Sequence, residues 1–235
     1  MTHCYADTLT TNRMGLEVFG PDLTKRKRTS KQLWRRPFRW DRDAMAADKP
    51  ARVFCLSLGD FFEDAPGPNA WRDEAWQVIH DTPNLDWQIL TKRPENITKM
   101  LPDTWADNKW GCWPNVWLGT SIEDQRVAAR EYVLQMVPAY IRFVSYEPAI
   151  GPLTLWLQNI HWVIVGGESG PGFRKMDLDW ARQMQTDCAK SINPRGTAFF
   201  FKQNHGPRTE MGIDALGAIY RDWPQGWDRA ELTAA

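Results

Sequence analysis

Residues 160–169 read IHWVIVGGES, a short apolar run that ends in two glycines and two polar residues. Five more stretches share this form: RVFCLSLGD (52–60), WQILTKRPE (87–95), NVWLGTSIED (115–124), IRFVSYEP (141–148) and AFFFKQNH (198–205). Such a run is typical of a strand that is buried on both faces of a parallel sheet. In a parallel α/β barrel the carboxyl ends of the strands carry the active site, so the six runs predict an enzyme.

The segments between these runs carry helical periodicity. Apolar residues recur at three- and four-residue spacing in DEAWQVIH (73–80), DQRVAAREYVLQMV (124–137) and DLDWARQMQTDCAKS (177–191), and residues 6–14 can form a further helix. Strands and helices alternate in barrels and in doubly wound sheets alike. Polar residues at every strand end favour a parallel (β/α) barrel of the TIM type, complete or partial, because a doubly wound sheet concentrates them at one crevice. The sequence lacks the strand that should precede the first helix.

Length and composition predict one large domain. With 235 residues and 43% hydrophobic content, the chain can bury a full core. We expect a single barrel domain over residues 1–222, with an insertion at 25–42 and a polar tail at 223–235. No apolar run approaches the roughly 20 residues that a bilayer requires, so we expect a cytoplasmic protein with no membrane partner. The four scattered cysteines do not indicate a disulfide framework.

The insertion is strongly basic although the net charge of the chain is zero. Residues 25–42 hold nine basic side chains against one acidic side chain, with aromatic residues between the arginines. This mixture suits a surface that holds phosphates and stacks on bases, so we expect a nucleic-acid or nucleotide partner. The candidate contacts are Arg35, Arg36, Arg39, Trp34 and Trp40. The alternative is a solvated loop that wraps the barrel and is pinned by its aromatic residues.

Polar residues at two strand ends are candidates for binding a ligand. Ser57 and Asp60 follow the first strand, and Thr91, Lys92 and Arg93 follow the second. Lys92 and Arg93 together suit a carboxylate or a phosphate group. The alternative is a set of ion pairs at the mouth of the barrel.

Two glutamates stand between an apolar strand and a turn rich in Gly or Pro. They are Glu147 in SYEP and Glu168 in GGESGPG. Gly166 and Gly167 beside Glu168 allow the backbone to turn sharply or to approach a ligand closely. On neighbouring strands the two glutamates form a candidate carboxylate pair for a cation. The partner would be a strand-end lysine, either Lys92 or Lys202.

The third strand ends in Thr120, Ser121, Glu123 and Asp124. Ser121 is a candidate cap for the helix that follows, with Asp124 completing a capping box of imperfect type.

The strand-end motifs resemble a known family over nearly the whole chain. They are CYA (4–6), RVFCLSLGDFFED (52–64), WQILTKRPENI (87–97), WPNVWLGTSIEDQ (113–125), RFVSYEPAIGPL (142–153), WVIVGGESGPGFR (162–174) and FFFKQ (199–203). They are similar to motifs of the gp thirty-seven and gp sixty-eight proteins, an uncharacterised phage and prophage family. Members of that family usually have a longer amino terminus with a three-cysteine loop. That loop resembles the cluster-binding loop of radical S-adenosylmethionine enzymes of the spore photoproduct lyase branch.

The resemblance implies a 4Fe-4S cluster and S-adenosylmethionine as cofactors, with Cys4 as the third cluster ligand. Three thiolates hold three irons in such a site, and the fourth iron binds the cofactor. The second ligand would fall at Met1 and the first upstream of it, so we expect this chain by itself not to assemble the cluster and to be inactive. It would then have no cofactor, and Cys4 would be an ordinary free thiol.

The strand-end residues and the resemblance together define the candidate site. We assign catalytic roles to Lys92, Arg93, Glu147, Glu168 and Lys202. We assign cofactor-binding roles to Ser57, Asp60, Ser121, Glu123, Gly166 and Gly167; for Ser121 and Glu123 this role is implied by the resemblance.

Two functional hypotheses remain open. The first is a radical S-adenosylmethionine-like phage enzyme that modifies or repairs nucleic-acid bases in the cytoplasm of a bacterial host. The second is a barrel without catalysis that binds nucleic acid or a nucleotide through its basic segment and its mouth.

Overall fold

The computed structural model describes residues 5–224, except for the side chain of Tyr5. The structure is mixed α/β, with a six-stranded parallel sheet. The strands are β1 (Ala51–Cys55), β2 (Leu85–Thr91), β3 (Val116–Ser121), β4 (Ile141–Tyr146), β5 (Trp162–Gly166) and β6 (Ala198–Gln203). Each strand lies within one of the six apolar runs or overlaps it, so the prediction of six strands in a parallel α/β fold is confirmed.

The strands follow one another across the sheet in chain order, β1-β2-β3-β4-β5-β6. A doubly wound sheet reverses its order at a switch point, whereas each strand of a (β/α) barrel lies beside the next strand along the chain. The observed order is therefore consistent with a partial (β/α) barrel.

Five α-helices accompany the strands in the described part of the chain. They are α1 (Tyr5–Met14), α2 (Lys31–Ala46), α3 (Pro66–His80), α4 (Ala129–Gln135) and α5 (Leu178–Ala189). The prediction of helices within 6–14, 73–80, 124–137 and 177–191 is confirmed. None of the helices between residues 5 and 224 combines the length and the apolar content that a membrane crossing needs.

The basic segment is helical over most of its length. Ser30 caps α2 by accepting a hydrogen bond from the Leu33 N–H, and the helix continues to residue 46. Asp41 fixes α2 against the start of β2, because its carboxylate accepts hydrogen bonds from the backbone and side-chain nitrogens of Asn84 at 2.7 and 3.2 Å. Residues 31–46 therefore form a helix, and the loop conformation of the solvated-loop alternative does not apply to them.

The predicted cap at Ser121 is also wrong. Ser121 is the last residue of β3, and Asp124 caps the next turn by accepting a hydrogen bond from the Arg126 N–H at 2.9 Å. The strand pairing extends to Ser121, so its backbone is extended and the helical turn begins later.

The chain divides into two compact units, residues 1–117 and 118–235. The first unit has an aromatic core built around Trp76 of α3. Its ring lies 4.8 Å from Phe61 and 5.8 Å from both Trp105 and Trp113, measured between centroids. Edge-to-face packing of this kind adds stability beyond the area buried.

The second unit has a core of aromatic and branched side chains from its strands. Phe143, Tyr146, Trp162, Val163 and Phe201 are all buried. Trp223, in the segment predicted to be a polar tail, packs against Trp162 with 4.7 Å between ring centroids. The remainder of that tail, residues 225–235, lies outside the described residues.

The two edge strands differ in how they are protected. Residues 220–222 cover β6, because Phe201 donates a backbone hydrogen bond to Tyr220 and Asp222 donates one to Phe199. No strand of residues 5–224 pairs with the outer edge of β1. Phe54 and Leu56 at this edge are 49% and 46% exposed. The backbone of an unpaired edge strand is free to pair with a further strand.

Candidate functional site

Asp60 organises the carboxyl ends of β1 and β2 in the first unit. Its Oδ1 accepts hydrogen bonds from the Thr91 hydroxyl at 2.6 Å and from the Phe62 N–H at 3.0 Å. Its Oδ2 accepts from the Lys92 N–H at 3.1 Å and from Arg93 Nη1 at 2.8 Å. Four donors on one half-buried carboxylate give a rigid junction between the two strand ends.

Glu63 extends this junction with a second set of charges. Arg26 donates two hydrogen bonds to the Glu63 carboxylate, from Nε at 2.7 Å and from Nη2 at 2.9 Å, and Arg93 Nη2 lies 3.2 Å away. The Arg26 guanidinium holds the pKa of Glu63 below its usual range, against the opposing effect of burial. Arg93 is therefore neutralised by Asp60 and Glu63, which favours the interpretation of ion pairs at the strand ends over an anion site at this residue.

Two further candidates of the first unit, Ser57 and Lys92, follow β1 and β2. Ser57 is exposed in the turn that follows β1. Lys92 contributes its backbone N–H to Asp60, as described above.

Among the described residues, the buried side-chain NH₂ of Gln88 has no hydrogen-bond acceptor, and sequence reasoning did not single out this residue. Gln88 lies on β2 in register with Phe54 of β1.

Glu147 forms the expected ion pair with a lysine at the carboxyl ends of β4 and β6. Lys202 Nζ lies 3.1 Å from Glu147 Oε1, and the Ser145 hydroxyl donates to Oε2 at 3.1 Å. Gly166 makes room for this carboxylate, because a Cβ at that position would collide with Glu147 Oε1. With Glu147 in this position, Gly166 leaves the space that the carboxylate occupies.

Glu168 binds an arginine of the loop that follows β5. Its Oε2 accepts hydrogen bonds from the Arg174 N–H at 2.7 Å and from Arg174 Nε at 2.9 Å, and its Oε1 accepts from Nη2 at 2.6 Å. The bond closes the loop between residues 168 and 174 and holds it at the end of β5.

The second glycine and a histidine complete this part of the second unit. A Cβ on Gly167 would collide with the backbone of Asn204 and His205, so this glycine allows the chain after β5 to lie against the chain after β6. His205 Nδ1 accepts a hydrogen bond from the Met176 N–H at 3.0 Å, and Phe173 stacks on its ring at 5.4 Å. These two contacts hold the half-buried ring of His205 in place.

The carboxylates after β3 are paired with arginines of the following turns. Arg130 Nη1 bonds to the Ser121 carbonyl at 2.9 Å and to Glu123 Oε2 at 3.0 Å. Arg126 binds both oxygens of Asp124, and this contact lowers the pKa of the Asp124 carboxyl. Ser121 thus offers its carbonyl to the protein itself, while its side chain lies in the buried end of β3.

The cysteines in the described part of the chain do not form a cluster site. Cys55, Cys112 and Cys188 are free, and no group of three His, Cys, Asp or Glu residues in residues 5–224 is placed to hold a metal ion. Burial raises the pKa of the Cys55 thiol to about 12 and raises that of Cys188 as well. A thiol that stays protonated is a poor ligand for iron. Cys4, the ligand implied by the resemblance, lies outside the described residues.

The outward face of α2 is strongly basic. Four arginines, all exposed, share this face: Arg35, Arg36, Arg39 and Arg42. Arg39 pairs with Asp43 at 3.7 Å. Several neighbouring basic side chains form no ion pair with any residue between 5 and 224, namely Lys27, Lys31, Arg35, Arg36 and Arg42.

The two tryptophans of α2 differ in their availability. The guanidinium of Arg28 covers one face of the Trp34 ring at 4.0 Å, and Trp34 Nε1 donates to the Thr29 hydroxyl at 2.9 Å. Trp34 therefore has a role in packing the segment before α2. Trp40 is 40% exposed and makes no hydrogen bond or ring contact with another residue of the range 5–224.

The residues that sequence reasoning missed are the partners of the strand-end charges. Arg26 is 37 positions before Glu63, Arg174 lies in the loop after β5, and Arg130 lies in α4. No local signal identifies such pairs, because the contacts depend on how the loops return to the sheet.

Comparison with known proteins shows the family to which this chain belongs. The family model described as "protein of unknown function (DUF5131)" matches residues 1–222. The chain belongs to this family. No curated protein and no solved structure matches the chain.

Proposed function

We propose that this member of the DUF5131 family binds nucleic acid through the outward face of α2. The observation that carries the proposal is the row of exposed arginines at positions 35, 36, 39 and 42, most of them without an ion pair in the described residues. Isolated surface charges of one sign at helical spacing have no stabilising role in the fold itself. They attract a polyanion, and phosphate contacts supply most of the affinity of nonspecific nucleic-acid binding.

The charges of this face are held in place by the fold. α2 is capped by Ser30 and tied to β2 through Asp41 and Asn84, so its arginines project from a rigid helix. The buried residues Pro37 and Ala44 set the opposite face of the helix against the protein. A rigid basic face loses less conformational entropy on binding than a flexible basic loop does.

The experiment compares two variants with equal loss of charge. The first is Arg35→Gln/Arg36→Gln/Arg39→Gln on α2. The second, the matched control, is Arg182→Gln/Lys190→Gln/Arg208→Gln at exposed positions of the second unit. Binding to labelled single-stranded and duplex oligonucleotides is measured by fluorescence anisotropy at low salt.

The proposal predicts at least about a tenfold loss of affinity for the α2 variant and less than about a twofold loss for the control, since each phosphate contact contributes locally. The proposal is wrong if the unmodified protein binds neither oligonucleotide, or if both variants lose affinity equally.

A second candidate is a radical S-adenosylmethionine-like enzyme of phage origin that acts on nucleic-acid bases. The resemblance of the strand-end motifs supports it, together with a parallel sheet whose strands run in the order of a barrel. The cysteines of the described residues do not fit the cluster, so this candidate rests on Cys4 and on ligands outside the described part of the chain. A cytoplasmic location in a bacterial host belongs to the same proposal.

Iron and sulfide analysis after anaerobic reconstitution tests the second candidate. The analysis is made on this chain and on one extended upstream of Met1, and the candidate requires iron in the extended chain that is lost in Cys4→Ala and retained in Cys55→Ala. Absence of iron from the extended chain as well would reject the second candidate.

A further inference from the structure

A groove runs beside the arginine face, between the second half of α2 and the open edge of β1. Its volume is about 650 Å³, which is within the range of ligand-binding clefts. Its lining is mainly apolar and includes Trp40, Ala44, Ala47, Pro50, Val53 and Phe54. We call it the α2–β1 groove.

Two aromatic rings are available to a ligand in the α2–β1 groove. Trp40 is 40% exposed and Phe54 is 49% exposed. Neither ring packs against another aromatic ring within residues 5–224. Nucleobases stack on such rings regardless of their sequence, because every base has a π-face.

The charges around the α2–β1 groove favour a polyanion. Arg36 and Arg39 precede Trp40 on the same helix by four residues and by one residue, and Lys49 belongs to the lining of the groove. One acidic residue, Asp43, belongs to the lining, and it is paired with Arg39 at 3.7 Å. Phosphates on the arginine face would therefore place the attached bases near the aromatic rings.

We infer that the α2–β1 groove receives unpaired bases, so that the ligand of this protein is single-stranded nucleic acid. This inference rests on the proposed function, because the α2 arginines supply the phosphate contacts. Bases in a duplex are stacked on one another and cannot enter the groove. The arginines bind the phosphates of single strands and of duplex alike. The two rings stack only on unpaired bases and so add a preference for single strands.

The open edge of β1 could also pair with an extended polypeptide, since an unpaired strand edge is a template for a further strand. The basic surroundings of Trp40 favour the nucleic acid. The experiment includes this alternative as an outcome.

The test measures the affinity of a 12-nucleotide single strand and of the duplex of the same sequence. Trp40→Ala and Phe54→Ala are compared with Trp110→Ala. Trp110 is 37% exposed and lies in the same unit, so it matches Trp40 in exposure without lining the groove. We expect tighter binding of the single strand, and about a tenfold loss of this affinity in Trp40→Ala and in Phe54→Ala, with duplex binding unchanged.

Three results would overturn the inference. If the affinities for single strand and duplex are equal and Trp40→Ala does not change them, the groove does not bind bases. Phosphate binding by the α2 arginines is then still supported. Absence of binding to both oligonucleotides rejects the proposed function itself. A concentration-dependent dimer in sedimentation that disappears in Phe54→Lys, with no effect of Trp40→Ala on single-strand binding, assigns the groove to a second copy of the chain.

Discussion

Gly166 lies against the carboxylate of Glu147, so closely that a Cβ at position 166 would occupy the place of Oε1. Glu147 comes directly after β4, and Gly166 is the last residue of the neighbouring strand β5. Lys202 also binds the Glu147 carboxylate. The pair explains why a glycine ends β5 without invoking a ligand.

We predict that Gly166→Ala destabilises the protein by about 2 kcal/mol, because the added methyl group must displace a half-buried charged side chain. The free energy of unfolding in urea measures this effect. In a Glu147→Ala background the same substitution should cost less than about 1 kcal/mol, since the colliding atom is gone. Equal costs in the two backgrounds would contradict the packing explanation.

Asp60 is expected to be essential for stability. Asp60→Ala leaves the Thr91 hydroxyl, two backbone N–H groups and Arg93 without this acceptor, so we expect a loss of about 3 kcal/mol. Asp64→Ala is the control, because its exposed carboxylate accepts a hydrogen bond from Asn69, and its loss should cost less than about 0.5 kcal/mol. A similar loss for both variants would show that the junction at Asp60 has no special role.

The loop after β5 should depend on Glu168. Glu168→Gln removes the charge that binds Arg174 and is expected to cost about 2 kcal/mol. Limited proteolysis should then cleave between residues 168 and 176 faster than in the unmodified protein. Arg174→Lys should give a similar increase, because lysine cannot make the two parallel hydrogen bonds of the guanidinium. Unchanged cleavage in both variants would mean that other contacts hold the loop.

His161 should make the protein sensitive to mild acid. Burial, with Arg142 and Arg195 nearby, lowers the pKa of this imidazole from 6.5 to about 4, and its Nδ1 accepts a hydrogen bond from the Arg142 N–H. Between pH 6.5 and about 4, His161 is therefore protonated in the unfolded chain but neutral in the folded chain. Stability is lost as the pH falls from 6.5 to about 4, with about 2 kcal/mol lost between pH 7 and pH 5.

The His161→Asn variant tests this pH dependence. Its amide oxygen can replace Nδ1 as an acceptor, but it does not titrate. We expect a flatter profile of unfolding free energy between pH 7 and pH 5 for this variant than for the unmodified protein. Parallel profiles would assign the acid sensitivity to other groups.

Nucleic-acid binding should depend steeply on salt. If the α2 arginines contact phosphates, the logarithm of the binding constant falls linearly with the logarithm of the salt concentration. Replacing Arg36 by Gln should reduce that slope by about one, and replacing Arg182 by Gln should leave it unchanged. Titrations at several salt concentrations give both slopes, and an unchanged slope for the Arg36 variant would exclude it as a phosphate contact.

The strands and most helices could be predicted from the sequence because their signals are local. A strand buried on both faces needs a continuous apolar run, and residues 162–166 and 141–146 satisfy this requirement in the folded chain. The ion pair of Glu147 with Lys202 was also within reach, because both residues end strands of the same parallel sheet. The helix over residues 31–46 could not be predicted, because Pro37 and the many charged residues obscured its helical periodicity.

The amino-acid sequence alone determined that the chain alternates strands and helices, that polar residues end each strand, and that residues 25–42 are basic. These properties depend on neighbours in the chain. Only the tertiary structure decided that Arg93 is neutralised by Asp60 and Glu63, that Glu168 binds Arg174, and that Trp40 lies beside Phe54 along an uncovered strand edge. Such relationships join residues that lie far apart in the sequence or on opposite sides of a turn. Strand register and loop closure set their distances, and no pattern of neighbouring residues encodes them.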